Sequence, residues 1–151
     1  MAEMACRHYT KINRDLVVAG VLLHDLGKTA ELTYKRSFGY SDIGGLIGHI
    51  SIAADWINRA IIQIPDFPEE LRILILHIIL SHHGKLEYGS PIIPKTPEAT
   101  LVHYLDDMDA KLEVAFHSIM EDNGSGTWTQ FSKGLECALY KPRWPESINN
   151  V

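Results

Sequence analysis

An all-α fold follows from three features of this sequence. Nearly every segment with a clear hydrophobic period repeats at helical spacing, the segments are separated by cap and stop residues, and no internal repeat or low-complexity linker interrupts them. The 151 residues, 46% of them hydrophobic, are enough for one domain with a real core and too few for two. Residues 1–151 are therefore read as a single domain, a helical bundle of about five to six helices.

Asn13 is placed to cap a first helix through Asp15–Leu26, with Gly27 as its stop. The stretch Tyr34–Gly45, rich in Gly, Ser and Tyr, reads as a loop. A second helix is expected from about Leu46 to Ile64, ended by Pro65. Pro68 in a first turn, followed by Glu69 and Glu70 where the helix dipole favours acids, opens a third helix through Leu80. Its run Ile73–Leu80 is apolar on all sides, which predicts a place in the middle of the bundle. Gly84–Lys95 reads as a long irregular loop. Thr96 as cap and Pro97 at the first helical position then start a fourth helix to about Glu121. Asn123–Gly126 breaks it, and Thr127–Tyr140 reads as a last short helix before a tail containing proline.

The formal net charge of −5 gives none of the basic footprint that long nucleic acids require, so a substrate bearing phosphate would be held locally by cations in a cleft. Cys6 and Cys137 form no disulfide framework and no thiolate pair with metal spacing, and both read as small buried residues of a reducing compartment. No apolar run reaches membrane-span length and the N-terminus lacks a signal-peptide core, so a soluble, cytoplasmic protein is expected.

Against this background a few polar residues are out of place. His24 and Asp25 close the apolar run Val17–Leu23, at a helix end where the dipole disfavours an acid. His49, the pair His82-His83 and Asp106 likewise sit at or within apolar helical patterns. Four separated places thus supply the imidazoles and carboxylates that divalent ions require, and a two-ion site also needs a carboxylate able to bridge. Lys28, four residues after His24, would share its face and offer a third positive charge to a bound phosphoryl group; the plain alternative is a solvated lysine. Asp106 and Asp109 share one face of their helix, which suggests Asp106 as a ligand and Asp109 as a residue backing the ligands or touching substrate, with a solvated acidic face as the alternative for Asp109. His103 is placed to orient Asp106, and His77 reads as a hydrogen-bonded core histidine. His8 and His117 have no supporting context.

Leu22–Lys28, Gly48-His49-Ile50, Ser81–Gly84, Glu87–Pro91, Thr96–Ala99 and His103–Lys111 together resemble the HD-domain metal-dependent phosphohydrolases, and more closely the HD domain of YhaM-type 3′→5′ exoribonucleases. The ordered set covers nearly the whole chain, with Trp128–Tyr140 matching loosely. The resemblance implies that His24, Asp25 and Asp106 hold one divalent ion and that Asp25 bridges to a second held by His49, His82 and His83. Mn, Mg, Fe, Co or Ni would serve. It further implies hydrolysis of phosphate esters in nucleotides or short RNA 3′ ends, with Asp25 and Lys28 in catalytic roles. Lys85 and Tyr88 of the Gly84–Lys95 loop, with Tyr34-Lys35-Arg36, would rim the cleft. The family's first ligand histidine lies on an upstream helix that would precede Met1, so one ion site is expected to be a ligand short, and the apolar face such a helix would cover favours a homodimer. The YhaM-type enzymes also carry a separate OB-fold region for nucleic acid, which makes a small substrate the expectation here. Two rival readings share the scaffold: a di-iron oxygenase, which some HD-like proteins resemble, and a nucleotide-binding module without turnover.

Overall fold

A computed structural model describes residues 1–34 and 39–142, so Lys35 and Arg36 of the expected cleft rim lie outside the described residues. The chain forms two compact units, one from Met1 to Asp106 and one from Asp107 onward. The described elements are seven α-helices and two short hairpins, so the all-α class holds with one or two more helices than expected, those not foreseen all being short.

The first unit begins with α1 (Ala2–His8) and α2 (Arg14–Leu23). Asn13 caps α2 as its sequence predicts, its side chain accepting from Leu16 N at 3.1 Å. The helix ends at Leu23, three residues before the expected stop, and Gly27 instead leads into the single-turn α3 (Lys28–Glu31). The expected loop at Tyr34–Gly45 holds a strand, β2 (Gly39–Tyr40), paired antiparallel with β1 (Leu32–Thr33), and the start of α4 (Asp42–Ile47), capped by Ser41. The expected second helix is divided at Gly48, whose φ of 76° is the left-handed conformation glycine tolerates, and α5 (His49–Ile62) starts afresh there.

Next come α6 (Glu69–Ser81), with Pro68 just outside it as cap residue, and α7 (Pro97–Met120), whose Thr96 hydroxyl accepts from Ala99 N at 3.1 Å. A one-turn 3₁₀ helix at Leu86–Tyr88 lies in the loop between them. The central position of α6 is borne out in its C-terminal half. Ile78 packs with Cys6, Leu16, Val17, Ala99 and Val102, while the next residue, Ile79, packs with Ala53, Ile57 and Ile61. Both isoleucines are fully buried, each worth roughly 1.5–3 kcal/mol of burial. They anchor the end of α6 from which His82 and His83 project.

In the second unit the expected helix over Thr127–Tyr140 is a hairpin of β3 (Trp128–Ser132) and β4 (Cys137–Tyr140). Trp, Thr and Phe in β3 favour the extended chain, and Trp128 and Tyr140 make an edge-to-face cross-strand pair with ring centroids 5.4 Å apart. Asp122 ties the preceding turn down, accepting from Gly124 N, Gln130 N and Lys141 Nζ. Cys6 is buried as expected, whereas Cys137 is exposed on β4. Among the described residues no helix is long and apolar enough to cross a membrane.

Candidate metal centre

The site is assembled from helix ends and, for Asp106, from within α7. His24 follows the last residue of α2, and its Nδ1 bonds the Val21 carbonyl at 2.9 Å. His82 caps the C-terminus of α6 in the same manner, Nδ1 on the Ile79 carbonyl at 2.7 Å. Both rings thus satisfy a last-turn carbonyl that the helix leaves open. His83 Nδ1 bonds the Tyr88 carbonyl at 2.8 Å. His49, the first residue of α5, sets its Nδ1 against the Glu31 carboxylate, 3.1 Å from Oε1 and 3.0 Å from Oε2. Every one of these Nδ1 atoms faces an acceptor and so carries the hydrogen, which turns each Nε2 to the centre as the atom available to an ion, once His24 has given up the proton it shares with Asp25 and Asp106.

Two sets of donors result. His24, Asp25 and Asp106 form one and His49, His82 and His83 the other, with one donor atom per residue lying within 4.8 Å of the others in its set. His24 Nε2 is 3.4 Å from both Asp25 Oδ2 and Asp106 Oδ1. Asp25 Oδ1 faces the other set, 3.7 Å from His49 Nε2 and 3.8 Å from His82 Nε2. His49 and His83 bring their Nε2 atoms to within 3.3 Å of each other. Ligands held about 2.1 Å from one ion stand roughly 3.0–3.4 Å apart, close to these spacings.

The residues fit a pair of divalent ions on a second ground. Asp25 Oδ1 and His82 Nε2 are buried and have no hydrogen-bond partner. An orphaned anion oxygen beside an orphaned imidazole nitrogen is costly in a dry site and becomes favourable when a cation meets both.

Electrostatics follow the same division. Burial works against a charged His24, but hydrogen bonds to Asp106 and Asp25 outweigh it and raise its pKa to about 10 in the metal-free protein. Burial dominates at His82 and lowers its pKa to about 4. Asp25, although burial opposes it, is held well below the usual carboxylate range by His24 and Lys28, and Asp106 is lowered chiefly by His24. A proton on His24 therefore stands where the first set would otherwise hold a cation.

Close backbone approach is built in at two glycines. A Cβ on Gly27 would fall 2.0 Å from the His49 carbonyl oxygen, and one on Gly84, at φ 78°, would fall 2.2 Å from the His103 ring.

Of the residues singled out in the sequence, His24, Asp25, His49, His82, His83 and Asp106 come together. Lys28 joins them by a different route from the one expected, since the helix has already ended: from the first position of α3 its Nζ donates to Asp25 Oδ2 at 2.7 Å. Lys85 and Tyr88 stand on the loop whose carbonyl holds His83, with Lys85 Nζ 5.0 Å above the Tyr88 ring centre. Asp109 is exposed on α7 within the second unit and belongs to neither donor set. His103 bonds the backbone carbonyl of His82 at 2.8 Å, so it supports His82 where Asp106 was expected. His77 accepts from Lys95 N at 2.9 Å, the hydrogen-bonded role its setting suggested. Glu31 was missed. Its signal was slight: one of two acids between Asp25 and His49, in a stretch with no clear period.

Histidine and aspartate donors from helix ends and from the interior of α7, in this order along the chain, define a metal-binding helical domain, and the chain belongs to the HD domain family, whose model matches residues 1–111. Among curated proteins it is similar to the 3′-5′ exoribonuclease YhaM of Bacillus subtilis (strain 168), 43% identical over 143 residues, which cover 94% of this chain and 45% of that protein. The enzyme of the same name from a Geobacillus species is 40% identical over 143 residues, 94% of this chain and 44% of its own length. The chain thus spans less than half the length of the curated relatives it matches. No solved structure matches it.

Proposed function

We propose that this chain is the hydrolytic part of a phosphodiesterase that removes nucleotides from RNA 3′ ends with the help of two divalent ions, Mn²⁺ among those that mixed imidazole and carboxylate donors accept. The observation that carries the reading is the division of Asp25, with Oδ2 toward His24 and Lys28 and Oδ1 toward His49 and His82. A carboxylate so placed is able to serve both donor sets at once. His24, Asp25 and Asp106 would hold one ion and His49, His82 and His83 the other. When bound, the pair would lower the pKa of water and offset charge developing on phosphorus.

In the reaction, water adds to phosphorus, the P–O3′ bond breaks, and the departing 3′ oxygen takes a proton, giving a nucleoside 5′-monophosphate and a chain shorter by one residue. Lys28 is half exposed and uses one ammonium hydrogen on Asp25, so the others are available to a non-bridging phosphate oxygen. The exposed ring of Tyr88, beside Lys85, offers a base a stacking face and its phosphate a cation. The names of the relatives support the choice of RNA as substrate.

The test is incubation of the chain with Mn²⁺ and a short RNA labelled at its 5′ end. A ladder shortening from the 3′ end, lost in Asp25→Ala, is the expected result. Equal digestion by wild type and variant would overturn the assignment.

A further inference from the structure

Glu31 is 8% exposed, a buried carboxylate with no lysine or arginine within ion-pair reach among the described residues. Its carboxylate is spent entirely on one neighbour. Oε1 accepts from His49 N at 3.0 Å, and the two oxygens together embrace His49 Nδ1 at 3.0–3.1 Å. The other three histidines of the centre direct Nδ1 at main-chain carbonyls of Val21, Ile79 and Tyr88. His49 alone is backed by an anion.

The surrounding backbone holds Glu31 still. Its own carbonyl accepts from Ser41 N at 2.8 Å, the Ser41 hydroxyl donates to the Ala30 carbonyl at 2.6 Å, and Gly44 lies so close that a Cβ there would meet the Glu31 carbonyl oxygen at 2.4 Å. That is a clamp on the residue that grips the ring.

We infer that Glu31 is the positioning residue of the imidazole-rich half: by fixing the Nδ1–H tautomer of His49 and adding negative charge behind the ring, it aims a more basic Nε2 at the ion shared with His82 and His83. This rests on the two-ion reading above. An anion behind an imidazole pushes electron density toward the far nitrogen, and carboxylates in this role are worth about 10–100-fold in metal affinity. The competing role is purely structural, because the same carboxylate also accepts the first N–H of α5 and would serve as a cap.

Glu31→Gln separates the two. The amide oxygen it introduces still accepts from His49 N and keeps the cap, while the charge and the second acceptor are lost. Metal-free wild type and variant are titrated with Co²⁺, following the ligand-field absorption of each ion bound, and their melting temperatures are compared without metal. The expected result is two ions in wild type and, in Glu31→Gln, one ion bound as before and one weakened about 10–100-fold, with a melting temperature close to wild type. Two ions bound as tightly in the variant would overturn the inference and leave Glu31 a cap. No ion bound by wild type would instead sink the two-ion reading on which it rests. A measurement on the wild type guards against a variant that fails to fold: long-range ¹⁵N–¹H correlation of the metal-free protein reads the His49 tautomer directly. The hydrogen on Nδ1 supports the role, and the hydrogen on Nε2 overturns it.

Discussion

Asp25 Oδ1 and His82 Nε2 lie 3.8 Å apart, both buried and both without a hydrogen-bond partner. Each orphaned group costs the metal-free fold on the order of 1–3 kcal/mol. An ion between them would recover that cost and add its own binding energy. At an ion concentration 100 times its dissociation constant the gain is about 2.7 kcal/mol per ion, or roughly 5–10 °C in melting temperature for a chain of this size. Calorimetry with Mn²⁺ and with EDTA is expected to show that rise in wild type and none in Asp25→Ala. A wild-type melting temperature indifferent to Mn²⁺ would count against the site.

His24 makes binding at the first set a competition with a proton. Its pKa near 10 in the metal-free protein comes from Asp106 and Asp25, which outweigh the opposing effect of burial. A ligand imidazole must give up the proton on Nε2, so affinity at this set rises with pH throughout the neutral range. Titration calorimetry at pH 7 in buffers of different ionisation enthalpy is expected to show about one proton released as the first set fills. Proton uptake, or none exchanged, would contradict the geometry.

The metal-free protein also has a predictable pH profile. Burial lowers the His82 pKa to about 4 from an ordinary value of 6.5, so between those values the unfolded chain binds a proton that the native one refuses. Stability from this source is whole above pH 6.5 and declines as pH falls toward 4, with a limiting slope of about 1.4 kcal/mol per pH unit. His24 has the opposite sign: its contribution is whole below pH 6.5 and is lost as pH rises toward 10. Denaturant melts of the EDTA-treated protein are expected to be most stable near pH 6.5. In His82→Gln the acid-side slope between 6.5 and 4 flattens, and an unchanged slope would assign it elsewhere.

Gly27→Ala tests the packing that joins the two donor sets. Its Cβ would overlap the His49 carbonyl at 2.0 Å, and a main-chain atom has no rotamer by which to retreat. Overpacking of this kind costs about 1–3 kcal/mol, so a fall of roughly 2–12 °C in melting temperature is expected, with weaker binding at the His49 set. A variant that melts with wild type would show that α3 and α5 do not meet as described.

Much of this was legible in the sequence, and the failures have physical causes. Asn13, Ser81–Gly84 and Thr96-Pro97 signal helix boundaries through local chemistry, and the structure places caps or ends at or beside each. The six ligand candidates were visible because charge and imidazole are expensive in apolar company. What failed depends on contacts distant in sequence. The end of α2 at Leu23 is set where the chain must turn to bring Gly27 against His49, and nothing within Val17–Leu26 announces it. The β3–β4 hairpin was hidden because no tight-turn dipeptide marks it; its connection instead passes through Glu136 at φ 54°. Glu31 drew no notice because its stretch has no clear period and its partner, His49, lies 18 residues further on.

Two of the histidines, His24 and His82, are aimed by carbonyls three residues earlier in their own helices. Their direction is therefore a property of the helix terminus, inherited by whatever side chains surround it. Heating that frays the last turn of α2 or α6 would scatter the donors as it broke the helix, so ion release and local melting become one event. A metal-loaded protein of this design would lose its ions abruptly at the transition, and the ions would in turn act as pins that keep two helix ends from unwinding.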